Sequence, residues 1–193
     1  MSFPKTYAVK RHEKKSQTYD GHPYEFHLKE VALIARRERY RLPSYLPERD
    51  IEFYRGVFSD ATWLHDLLED TDTTYEDLLI FFDTEAADIV RLVTDPSAPE
   101  LSRKEKKALM NEQFSKYDIN VFEEWAALVL KASDRLANYR YSVTTKNKAK
   151  IKMYFKEHLD FKKAVCRENV AVKVWEELDQ IDQLVSEQYN FSR

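Results

Sequence analysis

Only two of the 193 residues are glycine. Left-handed turns and loops that wrap phosphates both depend on glycine. A Gly-rich phosphate loop is therefore impossible, which excludes dinucleotide-binding and P-loop readings. Sheet proteins also need glycine at their turns, whereas helix–helix loops can be made of Asn, Asp, Ser and Pro. The expected fold class is all-α. Cysteine occurs once, as Cys166, so neither an intramolecular disulfide framework nor a cysteine-cage metal site is available. No apolar run is long enough to span a bilayer, and Met1-Ser2-Phe3-Pro4-Lys5 does not read as a secretory signal. A soluble, cytoplasmic protein without a membrane partner is expected. Excess positive charge is also missing. With 31 basic and 34 acidic residues the net charge is −3, which argues against nucleic acid as a partner.

What is present is a folding sequence: 43% hydrophobic residues, with 12 Tyr and 11 Phe. The length suits one domain with a substantial core, and residues 1–193 are read as a single domain with no internal repeat. The chain is organised around Ala61-Thr62-Trp63-Leu64-His65-Asp66-Leu67-Leu68-Glu69-Asp70-Thr71-Asp72. Neither Gly nor Pro interrupts it, so it reads as a helix end. Residues four apart share a helix face, which puts Glu69 one turn below His65 and Asp70 one turn below Asp66. Trp63, Leu64, Leu67 and Leu68 flank the acids, so the segment must be partly buried. Buried carboxylates need a partner, and a divalent cation is the obvious one.

The remaining elements follow from periodicity and punctuation. Residues 3–17 read as a first helix ending in Lys10-Arg11-His12-Glu13-Lys14-Lys15, by itself a solvated helix end. Tyr19-Asp20-Gly21-His22-Pro23-Tyr24 is a turn, and a helix carrying His27 follows. Residues 36–49 form a basic connector punctuated by Pro43 and Pro47. Asp50 can cap a long helix from Ile51 to about Glu69, and Gly56 inside it suggests close packing. Thr74, Thr84, Ser102 and Asn120 can cap later helices. Thr94-Asp95-Pro96-Ser97-Ala98-Pro99 is a loop, and Arg103-Lys104-Lys106-Lys107 reads as a solvated face. The helix from Val121 to about Tyr141 is mostly apolar, yet Lys131, Asp134, Arg135 and Asn138 form one polar strip on it. Such a strip on a buried helix implies a site or a buried network. The last helices, from about Lys148 to Val185, read as core and packing, and His158 among them as structural or exposed.

His27, His65, Asp66 and Asp134 on three helices would make a mixed N/O site. That donor set suits Mn²⁺, Fe²⁺, Co²⁺ or Zn²⁺ better than calcium or magnesium. A metal-bound water ionises near neutrality, which suits hydrolysis of an anionic phosphoester. No Ser/His/Asp triad or reactive cysteine competes.

The matching stretches are Gly21-His22-Pro23-Tyr24-Glu25-Phe26-His27, Leu64-His65-Asp66-Leu67-Leu68-Glu69-Asp70-Thr71 with Thr73-Thr74, Leu92-Val93-Thr94-Asp95, and Leu130-Lys131-Ala132-Ser133-Asp134-Arg135-Leu136-Ala137-Asn138. Together they resemble the HD-domain metal-dependent phosphohydrolases, and within them the RelA/SpoT-type hydrolases, including small single-domain ones. The resemblance implies a helical HD-domain core over 8–140 and a C-terminal helical extension over 146–193. It further implies that His27, His65, Asp66 and Asp134 hold a metal, usually Mn²⁺, and that Glu69 and Asp70 handle protons for the attacking water. Lys131, Arg135 and Asn138 would lie near the substrate, and Lys14 and Lys15 would contact its phosphates. The implied reaction removes pyrophosphate from the 3′ position of guanosine tetra- or pentaphosphate (ppGpp or pppGpp). NADPH or another nucleotide remains an alternative substrate, and a non-catalytic nucleotide-binding module an alternative role.

Overall fold

The computed structural model describes residues 3–96, 98–189 and 191. Ser97, in the expected 94–99 loop, lies outside the described residues, as do both ends of the expected 1–193 domain. The fold is all-α apart from one two-residue hairpin. Helix α1 (Phe3–Lys14) is followed by strands β1 (Thr18–Tyr19) and β2 (His22–Pro23), antiparallel with Tyr19 opposite His22. The first helix stops three residues short of the expected end because Ser16 turns left-handed (φ 53°). Gly21 (φ 88°) turns the hairpin, a conformation that costs glycine nothing.

Helix α2 (Glu25–Ala35) leads through turns and a single 3-10 turn, Glu48–Asp50, into α3 (Ile51–Leu64). The expected single helix from Ile51 to Glu69 is broken at His65-Asp66. A separate turn, α4 (Leu67–Asp70), follows, although Asp70 N–H still donates to Asp66 O at 2.9 Å. After α5 (Tyr75–Phe81) and α6 (Thr84–Val93) come α7 (Arg103–Ser115), α8 (Phe122–Thr144), α9 (Lys148–Val165) and α10 (Val172–Gln188).

Local signals set most of these ends. Thr74 with Asp77, and Ser102 with Glu105, form complete capping boxes. Thr84 is the first residue of α6 and not its cap, and Asn120 bonds back to Asp118 while Val121 precedes α8. Gly56 has nothing within 4 Å of where a Cβ would sit, so the close packing expected there is not found.

Helix α8 is the axis of the fold. It packs against α2, α6, α9 and α10, while α3 packs on α1, α2 and α6. Ala126, Val129, Leu130, Ala132, Leu136 and Tyr139 on α8 are fully buried, as are Leu28 and Val31 on α2 and Ile89 and Val90 on α6. Such burial contributes roughly 1.5–3 kcal/mol per large side chain. A helix so enclosed can carry long charged side chains only where a cavity or a partner receives them. That is where its strip of Lys131, Asp134, Arg135 and Asn138 points.

Candidate active site

The cavity measures about 170 Å³ and lies where α2, α4, α7, α8 and α9 converge. His27 comes from the first turns of α2, His65 and Asp66 from the break between α3 and α4, and Asp134 from α8. His27 Nε2 lies 3.3 Å from both Asp66 Oδ2 and Asp134 Oδ1, and His65 Nε2 lies 3.1 Å from Asp66 Oδ2. The expected four residues are thus brought together. Ligand atoms of His27, His65 and Asp66 all lie within 4.8 Å of one another.

The arrangement suits a cation. His65 Nδ1 is 2.9 Å from Thr62 O, so Nδ1–H donates to that carbonyl and the Nε2 lone pair faces Asp66. That nitrogen is buried without a hydrogen-bond partner. An outer hydrogen bond that sets the tautomer of an inward-facing imidazole is the usual support of a metal ligand. Without a cation, the cluster charges its imidazoles instead. Burial opposes charge on His27, but its hydrogen bonds to Asp134 and Asp66 push its pKa up to about 10. His65 is raised as well: burial opposes its charge, and Asp66 outweighs burial. Although burial opposes their ionisation, Asp66 and Asp134 are held below the usual carboxylate range, Asp66 by both imidazoles and Asp134 by His27.

Glu69 and Asp70 line the same cavity. Burial raises the Glu69 carboxyl, with Lys131 opposing and Asp95 and Asp66 adding. Tyr24 ties the two halves together: its hydroxyl lies 2.7 Å from Asp66 Oδ2 and 2.7 Å from Asp70 Oδ2. Burial and these two acids push the phenol far above its ordinary value, so it stays a donor. Tyr24 in turn stacks on His12, ring centroids 4.1 Å apart. His12 is buried, with Nδ1 held by Gln17 at 2.6 Å, so it is no part of a solvated helix end.

Elsewhere in the cavity wall, Lys131 donates to Val93 O at 3.0 Å. Arg135 pairs with Glu157 at 3.1 Å and lies over the rings of Tyr154 and Phe161. Asn138 donates to Asp134 Oδ1 at 2.5 Å and accepts from the Tyr19 hydroxyl at 2.9 Å. Lys14 and Lys15 do not line the cavity. Their ammonium groups lie 3.5 and 3.2 Å from Asp72 on the exposed surface. Positive charge enters instead from Arg103 and Lys107 on α7, the run expected to be a solvated face. Lys107 is held by Asp95 at 2.6 Å. The C-terminal helices are not packing alone, because Tyr154 and Phe161 of α9 form part of the wall. His158 is buried and lies 3.4 Å from Asp179, outside the cavity.

Four carboxylates (Asp66, Glu69, Asp70, Asp134) and four cations (Arg103, Lys107, Lys131, Arg135) line the cavity. The acids gather at the histidines and the bases reach in from α7 and α8. A divalent cation at the acidic end would offset the carboxylates and leave net positive charge facing the cavity.

The fold has solved counterparts. The chain superposes on a solved metazoan ortholog of SpoT, described as hydrolysing ppGpp, with a TM-score of 0.61 and 22% identity, over 93% of this chain and 96% of that one. It matches lmo0812 from Listeria monocytogenes with a TM-score of 0.58 and 23% identity, over 86% and 98%.

Sequence comparison then gives the relatives. The chain is 29% identical over 136 residues to the guanosine-3′,5′-bis(diphosphate) 3′-pyrophosphohydrolase of Vibrio cholerae, covering 70% of this chain and 17% of that protein. It is 32% identical over 135 residues to that of Aquifex aeolicus, covering 69% and 16%. It is 35% identical over 80 residues to the one called MESH1 in Drosophila melanogaster, covering 42% and 40%. The chain is a homologue of these pyrophosphohydrolases and spans less than a fifth of the length of the two bacterial ones. No family model matches. Homology to hydrolases of this kind, with the His27, His65, Asp66 cluster, implies a divalent metal. Among the described residues, no helix is long and apolar enough to cross a membrane.

Proposed function

We propose that this chain is a metal-dependent phosphohydrolase that removes pyrophosphate from the 3′ position of ppGpp or pppGpp. The observation that carries the reading is the His27/His65/Asp66 donor set, whose His27 and Asp66 line one cavity with Glu69 and Asp70. His27, His65, Asp66 and Asp134 are the proposed ligands, and Mn²⁺ is the proposed metal. A bound divalent ion would polarise a phosphoryl oxygen and lower the pKa of a bound water.

The protein's own part follows from the placement of its groups. Lys131, Arg135, Arg103 and Lys107 offer charge to the substrate's phosphates. Glu69 and Asp70 take up and return protons as the water oxygen bonds to the phosphorus, the bond from that phosphorus to the 3′ oxygen breaks, and that oxygen gains a proton. Tyr24 positions Asp66 and Asp70 against each other. Asn138 holds Asp134 and, through Tyr19, the hairpin. In this reading 8–140 is the hydrolase core of a single domain, 146–193 closes its wall through α9, and the enzyme acts in the cytoplasm.

A second reading keeps the chemistry and changes the nucleotide. Lys14 and Lys15, expected at the phosphates, pair with Asp72 outside the cavity. A different phosphoester, such as NADPH or a mononucleotide, fits that departure. The test is Glu69→Gln. Loss of pyrophosphate release from ppGpp with metal content and folding intact supports the first reading. Loss confined to another nucleotide supports the second. Wild-type turnover in the variant removes Glu69 from both.

A further inference from the structure

A second cavity, of about 260 Å³, lies between α1, α2 and α3 and shares no lining residue with the candidate active site. Its walls are of two kinds. Ala32, Leu33, Phe58 and Trp63 are apolar, and Lys29, Arg36 and Arg39 are cationic. Lys5 also reaches it but is already compensated: it pairs with Glu25 at 2.6 Å and sits 5.3 Å over the Trp63 ring. The other three cations have no carboxylate within ion-pair distance among the described residues, in a chain whose net charge is negative. Asp60 is the acidic group felt by Arg39, and it does not come within that distance. Arg39 Nε is buried with no hydrogen-bond acceptor.

Three converging cations repel one another, and a buried guanidinium N–H without an acceptor carries a desolvation penalty. The repulsion is relieved by an anion. The apolar wall adds a second requirement, because a bare inorganic anion would leave Trp63 and Phe58 uncovered. A flat ring laid on Trp63 with a phosphate toward Arg36 and Arg39 satisfies both walls.

We propose that this cavity is a second, non-catalytic site for a small aromatic phosphate of mononucleotide type. Adenosine 5′-monophosphate is the probe. The full chain is titrated with it in the presence of a chelator, following tryptophan emission and heat. Trp63 is the one tryptophan that lines this cavity, and Trp125 and Trp175 are buried elsewhere.

A saturable change in both signals is expected. Its Kd rises about tenfold or more in Arg36→Glu and in Arg39→Glu, from loss of one charge-assisted hydrogen bond. Arg36→Lys, which keeps the charge, and Lys107→Ala, which touches only the candidate active site, stay close to the wild-type Kd. Trp63→Phe loses the emission change and keeps the heat. Circular dichroism of each variant establishes that it is folded. Absence of saturable binding would overturn the proposal. So would binding that Lys107→Ala abolishes and Arg36→Glu leaves intact, because the probe would then sit in the candidate active site.

Discussion

Replacing Tyr24 by Phe removes one oxygen and leaves the ring. In the folded protein that oxygen is 2.7 Å from a proposed metal ligand, Asp66, and 2.7 Å from a proposed proton carrier, Asp70. A phenol has one proton, so it donates to one carboxylate at a time and fixes the distance between the two. A hydrogen bond to a charged acceptor is worth about 1.5–3 kcal/mol. If that energy orients Asp70 in the transition state, its loss lowers kcat by about 10- to 150-fold. The cationic contacts proposed for the substrate come from α7 and α8 and are untouched, so KM is expected to move by less than about threefold. The stack of ring 24 on His12 survives, which keeps the hairpin and α2 in place. The assay is steady-state pyrophosphate release from ppGpp at saturating Mn²⁺, so that any weaker metal binding does not enter. A folded, metal-loaded Tyr24→Phe protein with kcat within about twofold of wild type would refute the role given to this bridge.

Three further outcomes are expected. Burial and Asp83, opposed by Arg39, push Asp60 up to about 6. A folded-state pKa above the unfolded one means the native state binds more protons between about pH 4 and 6, so stability falls as pH rises through that window. Asp60→Asn should therefore stabilise the protein at pH 7.5 by about 1 kcal/mol, after discounting for solvent screening, and not at pH 4; equal urea midpoint shifts at both pH values would contradict this. Lys14→Ala combined with Lys15→Ala should leave turnover within about threefold, whereas Lys107→Ala, beside Asp95 in the cavity wall, should cost roughly tenfold or more in kcat/KM; the reverse order would return the phosphates to the first helix. Leu64→Ala should destabilise the fold by about 2–5 kcal/mol, read by chemical denaturation, because Leu64 is fully buried next to His65; a loss under 1 kcal/mol would show that α3 repacks around the cavity.

The helices and the clustering of the candidate site residues were legible in the sequence, for identifiable reasons. His65, Asp66, Glu69 and Asp70 are close in the chain, and Lys131, Asp134, Arg135 and Asn138 share a helix face. Their clustering therefore survives any tertiary arrangement that buries that face. Local chemistry also gave the Thr74 and Ser102 caps.

What was hidden depends on long-range packing. Tyr19 and Tyr24 reach the site because a left-handed Ser16 and the Gly21 turn redirect the chain. That same turn leaves Lys14 and Lys15 facing Asp72. Arg103 and Lys107 sit in a charged helix that reads chiefly as a solvated face and only secondarily as a guide for an anionic ligand, and their place in the wall comes from α7 packing on α9. His12 lay inside a basic run and is nonetheless buried, stacked on Tyr24 and bonded to Gln17.

The central claim is that Asp66 and its neighbours hold a metal that drives pyrophosphate release. The direct measurement is pyrophosphate released from ppGpp by the Mn²⁺-loaded chain, alongside a chelator-treated sample and Asp66→Ala. The account predicts release from the loaded wild type and none from either control. Release that persists in chelator or in Asp66→Ala would contradict it, as would a metal-loaded wild type that leaves ppGpp intact while hydrolysing other nucleotides.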